Sequence, residues 1–206
     1  MPVSPATPSY SRLEPDARRD LILDAAKRVF VRSSAAEAST AAVAREAGVT
    51  RGLVHHYFGT KRELYVAVVA DLAASLPDLV RTDVSGLPIE RMVDANVTSW
   101  LDAVERDREL WVAILGVEMV GRDPEVEAIM ADARDAVIDR MAGNQARGGE
   151  PTAELRLVLR VFLGAAEAAA REWAMHGRAS REQAHAVLKG TLLAMVGQVL
   201  PAVPAA

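Results

Sequence analysis
Cysteine is absent from the 206 residues. That excludes a disulfide scaffold, a thiolate zinc site and a cysteine nucleophile. Aromatics make up only 4% of the chain, and no stretch alternates apolar and polar residues with the period of a strand. No apolar run is long enough to span a bilayer, so no membrane partner is expected. Met1 to Ser11 is rich in Pro, Ser and Thr. It lacks the basic start and apolar centre of a secretory signal, so residues 1–13 read as a disordered arm on a cytoplasmic protein. Catalytic signatures are missing too. There is no Gly-x-Ser-x-Gly elbow, no phosphate-loop Gly-Lys pattern and no dinucleotide glycine fingerprint. His55, His56, His176 and His185 form no His-x-x-x-His pair. No enzyme, no metal and no cofactor is therefore expected.

What is present is helix-forming. Half the residues are hydrophobic and a quarter charged, enough apolar surface for a sizeable core. Apolar residues recur at helical spacing from Pro15 onward, first as Ile22, Ala25, Ala26, Val29 and Phe30. Ser39 or Thr40 begins a second helix and Gly48 ends it. Thr50 caps a third, broken at Gly59, and Thr60 caps a longer connector reaching about Leu79. Further stripes begin at Ile89, Trp111, Asp123-Pro124, Pro151 and Ser180. The expectation is an all-α fold of about nine helices.

Net charge divides the chain. Through residue 62 there are ten Lys/Arg against six Asp/Glu; beyond it, fourteen against twenty-two. A cationic head on an anionic body suggests that the head meets a polyanion. The head also holds the sharpest motif, between Ser39 and Lys61. Helix, tight turn and short second helix are the parts of a helix-turn-helix. Gly48 takes positive φ without strain, and Val49 plugs the crease between helices. Thr50 caps the next helix and has a hydroxyl for a phosphate. Gly52 leaves room for a phosphate or sugar near the backbone.

On these residues the chain resembles the tetracycline-repressor (TetR) family of bacterial transcription regulators. The likeness is carried by Phe30, Val43-Ala44, Ala47-Gly48-Val49-Thr50, Gly52, Val54, Tyr57-Phe58, Lys61 and Leu64-Tyr65, over residues 16–66. Ser34 and Ala35 depart from the family's usual Gly and aromatic. His55 stands where a phosphate-contacting Tyr is usual, and His56 where a Tyr or polar residue is common. The resemblance implies a DNA-binding domain at residues 14–62. Its candidate contacts are Ser39, Thr40, Thr50, Arg51, Gly52, His55, His56, Tyr57 and Lys61. It also implies an effector-binding and dimerisation domain at 63–206.

Two further sets follow for that second domain. Polar groups and adaptable side chains on apolar stripes suggest a ligand site at Asn96, Trp100, Trp111, Glu118, Met119, Met130 and Glu167. A carboxylate in that cavity would favour a cationic or hydroxyl-bearing ligand. Leu155, Leu159, Phe162 and Ala166, and Leu188, Leu192, Met195 and Val199, keep a 3–4 spacing that suits a four-helix bundle, and the resemblance implies that these helices form the dimer interface. The function that the resemblance implies is a homodimeric repressor that binds a palindromic double-stranded DNA operator and is released by a small-molecule effector. The alternative is a helical small-molecule carrier or interaction module with a vestigial DNA-binding head.

Overall fold
The computed structural model describes residues 14–32, 38–84, 86–109, 111, 123–145 and 150–205. Among them are eight α-helices and no strand. They are α1 (Pro15–Arg32), α2 (Thr40–Ala47), α3 (Arg51–Phe58), α4 (Lys61–Ser75), α5 (Ile89–Arg106), α6 (Pro124–Gln145), α7 (Ala153–Ala170) and α8 (Arg181–Ala194). Trp111 is helical, but the rest of the helix expected to follow it lies outside the described residues.

The head folds around α1. Its Ile22, Leu23, Ala25, Ala26, Val29 and Phe30 are buried, as helical spacing requires. They pack with Val43, Ala44 and Ala47 of α2, Val54 and Phe58 of α3, and Leu64 and Val68 of α4. Most helix starts are capped by side chains. Thr60 accepts from the Glu63 N–H while the Glu63 carboxylate accepts from the Thr60 N–H, a reciprocal capping box. Ser180 and Gln183 repeat the device at α8.

Helix α4 runs without a break through the boundary expected at residue 62. It packs on α1 and α3 within the head and on α6 in the body. Its last turn tightens into a 3₁₀ segment at Leu76–Leu79, which contains Pro77. The body's core joins α5, α6, α7 and α8, with Leu101, Val104, Ile138, Leu159 and Leu188 fully buried. Single wider turns extend α7 through Arg171–Met175 and α8 through Met195–Val199. No helix among the described residues is long and apolar enough to cross a membrane.

Candidate nucleic-acid interface and ligand cavity
The short helices α2 and α3 meet at a turn fixed by three residues. Gly48 sits at φ +66°, a left-handed conformation that suits glycine. The Val49 N–H then reaches back to the Ala44 carbonyl at 2.9 Å and closes α2. Thr50 begins α3, its hydroxyl accepting from the Leu53 N–H at 3.2 Å. Buried Val54 and Phe58 hold α3 against the head core. The Arg19 guanidinium covers the Phe58 ring at 5.1 Å. With that face fixed inward, Arg51, Gly52, His55 and His56 are exposed together, one turn apart along one side. A Cβ at Gly52 would meet only the Thr50 hydroxyl, at 4.0 Å. Packing within the chain therefore does not require glycine there.

The other expected contacts divide. Ser39 is exposed and accepts from the Ala42 N–H at 3.1 Å, as the cap of α2. Thr40, the next residue, is only 6% exposed and so presents little of itself at the surface. Tyr57 is half-buried and edge-on to His56, with ring centroids 5.3 Å apart. Lys61 is half-buried at the start of α4, where it also borders the cavity described below. The His55 Nδ1 lies 2.6 Å from the Gly59 carbonyl. Since a carbonyl only accepts, Nδ1 carries the proton. A neutral His55 thus keeps an acceptor at Nε2, and a phosphate contact there needs the doubly protonated ring.

Beneath the head, a cavity of about 1130 Å³ lies between α4, α5, α6, α7 and α8. Asn96, Trp100, Trp111, Met130 and Glu167 all line it. Glu118 and Met119 lie outside the described residues. The polar members are mostly committed to partners within the chain. Asn96 accepts from the Arg81 N–H at 2.8 Å and donates to the Met92 carbonyl at 2.9 Å, which ties the loop after α4 to α5. Glu167 accepts from Arg134 Nε at 2.8 Å. Trp100 and Trp111 meet edge to face at 6.3 Å.

Sequence reasoning missed the groups at the head end of the cavity: Arg62, Tyr65 and Asp123. Arg62, in the first turn of α4, holds both oxygens of Asp123 at 2.8 Å and reaches Glu125 at 2.9 Å. This clamp joins the connector helix to the start of α6. The Arg62 guanidinium draws the Asp123 carboxyl below the usual carboxylate range. Tyr65, one turn further along α4, has a buried hydroxyl with no hydrogen-bond partner among the described residues. Burial raises its pKa above the ordinary phenol value, and the charge of Asp123 adds to the effect. The three-residue spacing of Arg62 and Tyr65 was visible in the sequence; their partners on α6 were not.

The interface expected on α7 and α8 needs correcting. Leu155, Leu159, Phe162, Ala166, Leu188 and Leu192 all belong to the chain's own core. Met195 is half-buried against the same core, and only Val199, at 47% exposure, faces outward. Both helices have a second, weaker apolar side. It presents Leu157 and Val161 on α7 and Val187 on α8, all more than half exposed. Gly164 and Ala168 continue it on α7, and Ala186 and Gly190 on α8. Periodicity picked out the stronger stripe, which the subunit uses itself.

Comparison with known proteins matches both halves of this architecture. The profile of "Bacterial regulatory proteins, tetR family" matches residues 22–68. The profile of the "Tetracyclin repressor-like, C-terminal domain" matches residues 89–195, more than half the chain. The chain belongs to the TetR family.

Among relatives of this TetR-family chain is the HTH-type transcriptional regulator SrpR of Pseudomonas putida. It is 41% identical over 91 residues, covering 44% of this chain and 41% of SrpR. The HTH-type transcriptional activator FasR of Mycolicibacterium smegmatis is 30% identical over 133 residues, 63% of this chain and 59% of FasR. The chain thus matches less than two thirds of the length of these relatives. A TetR-family regulator from Streptomyces coelicolor superposes over 92% of this chain and 84% of its own, with TM-score 0.79 and 25% identity. The Bacillus subtilis regulator FadR, solved with stearoyl-CoA, shares the fold at TM-score 0.67. It is 15% identical, over 86% of this chain and 97% of its own.

Proposed function
We propose that this TetR-family protein is a cytoplasmic, ligand-responsive DNA-binding regulator acting as a homodimeric repressor rather than as an enzyme. The observation that carries this reading is the face of α3. Val54 and Phe58 fix the helix to the core, while Arg51, Gly52, His55 and His56 are left exposed on a cationic head. A helix so presented suits a major groove. Arg51 in its first turn fits a guanine edge or a phosphate. Gly52, unexplained by internal packing, allows the sugar-phosphate chain to approach closely. Ser39 and Thr50 place hydroxyls at the starts of α2 and α3, where anions are favoured.

One head offers too few contacts for tight operator binding. A two-fold dimer places two α3 helices roughly 34–36 Å apart, one turn of DNA, and reads a palindrome. The outward sides of α7 and α8 supply the surface. Leu157, Val161 and Val187 are exposed apolar groups, and a Cβ at Gly164 or Gly190 would meet nothing in its own chain. Glycine within a helix costs about 1 kcal/mol relative to Ala. Close approach by a partner helix accounts for keeping it.

Effector response runs through α4. The cavity borders this helix, and the Arg62–Asp123–Glu125 clamp ties its first turn to α6. A ligand that fits better when α4 is displaced from α6 changes the separation of the two α3 helices. Hundredfold release of DNA needs about 2.7 kcal/mol of differential binding. The test is selection of duplex fragments by the purified protein. Arg51→Ala with Lys61→Ala should abolish retention of the selected duplex and leave the dimer intact. Equal retention by that variant would refute the assignment.

A further inference from the structure
At the end of α3, His55 and Gly59 bind each other twice. The Gly59 N–H donates to the His55 carbonyl at 2.9 Å. The Gly59 carbonyl in return accepts from His55 Nδ1 at 2.6 Å. Gly59 presents its carbonyl at φ +67° and ψ −114°, a conformation that suits glycine. The two nitrogens of an imidazole point in divergent directions, so this bond turns Nε2 away from Gly59. His55 itself is exposed, one turn beyond exposed Arg51. With Nδ1 committed as a donor, the protonation of Nε2 decides what His55 offers a polyanion. On the neutral ring Nε2 is an acceptor, and phosphate oxygens are acceptors too. On the protonated ring it is a charge-assisted donor, which phosphate oxygens match. Histidine is the side chain whose charge changes between about pH 5 and 8.

The charged and titratable groups of the surrounding elements are mostly cationic. On α3, Arg51 precedes His55 by a turn, and His56 and Tyr57 follow it, edge to face with each other. From α4 come Lys61, engaged within the chain, and Glu63, whose carboxylate accepts from the Thr60 N–H and hydroxyl. From α1, Arg19 stands over the Phe58 ring. On α2, Arg45 is exposed and Glu46 holds Arg28 and Arg32. Both carboxylates in this set are committed to other partners, so a DNA phosphate is the anion that a protonated His55 meets. We propose that His55 is a proton-gated phosphate contact, and that the head grips DNA more tightly as pH falls through one charge-assisted bond from His55 Nε2 in each subunit. The inference rests on the regulator reading and adds a pH response to it.

The test measures affinity of the full chain for the selected duplex by fluorescence anisotropy at pH 6 and pH 8, at matched ionic strengths. A gain of about 3- to 10-fold per contact, with two contacts per dimer, predicts wild-type binding about 10- to 100-fold tighter at pH 6. The slope of log affinity against log salt should also steepen at pH 6, by about 1 to 2, because each new phosphate contact releases counterions. His55→Gln should lose both effects and bind at either pH about as the wild type does at pH 8. His55→Asn should match it, and His56→Gln should keep both effects. All three are surface substitutions, and melting curves check that each variant is folded. Equal wild-type affinity at the two pH values overturns the inference. So does a gain that survives His55→Gln and His55→Asn, one that His56→Gln removes, or one without a steeper salt slope. Binding by His55→Gln and His55→Asn far below the wild type at pH 8 overturns it as well, since the neutral ring would then carry the contact. A duplex retained without a pH response refutes this inference alone. Failure to retain any duplex at either pH refutes the regulator reading and the inference with it.

Discussion

Replacing Val161 and Val187 by Asp tests the proposed assembly without touching the core. These side chains are 58% and 60% exposed in the subunit. Burying a whole Val side chain contributes about 1.5–3 kcal/mol. Somewhat more than half of that is still available here, or about 1 kcal/mol per residue. A two-fold assembly contains four such side chains, so the substitutions remove about 4 kcal/mol, roughly three decades in the dimer dissociation constant. Desolvation of the new carboxylates adds to the loss. Within the monomer both positions are surface sites, where substitutions usually change stability by no more than about 0.5 kcal/mol. Sedimentation velocity across micromolar concentrations should show a wild-type dimer and a monomeric variant, with circular dichroism unchanged in shape. A variant that remains dimeric would refute the assignment of these faces, and so would a wild type that is monomeric throughout.

Two other outcomes follow from local geometry. Thr50→Ala removes the cap that accepts from the Leu53 N–H. It should lower stability by about 1 kcal/mol, seen as a shifted denaturant midpoint with an unchanged slope. Asp123→Asn should lower the melting temperature near neutral pH by breaking the clamp with Arg62. Because the native Asp123 carboxyl is held below its ordinary range, the clamp's contribution is complete above that range and disappears as pH falls through the lowered value. The difference in melting temperature between wild type and variant should therefore persist at pH 5 and close only in stronger acid.

The head was largely legible in the sequence because its determinants are local. Gly48, Thr50 and Thr60 act on residues within a turn of themselves, and the inward set Ile22, Ala25, Ala26, Val29 and Phe30 follows from helical periodicity alone. The sequence left Ser39 and Thr40 open as the start of α2, because two adjacent hydroxyl residues can begin a helix; Ser39 is the one that caps it. In the body, periodicity found the helices but not which neighbour each side faces. Helices α7 and α8 have two apolar sides. The larger residues went to the subunit's own core, leaving Gly, Ala, Val and Leu157 outside. The cavity's head end was illegible for another reason. Arg62 and Asp123 are 61 positions apart, and their pairing depends on how α4 packs against α6. Asn96 shows the converse: a polar residue on an apolar stripe whose amide ties a loop to its helix.

The central claim is that α3 lies in a DNA groove, twice per dimer. The salt dependence of binding to the selected duplex tests it most directly. Neutralising about four phosphates per half-site predicts a slope of log affinity against log salt concentration near −7. A slope shallower than about −2 would contradict the claim, because too few phosphates would then be engaged to seat two helices in successive grooves.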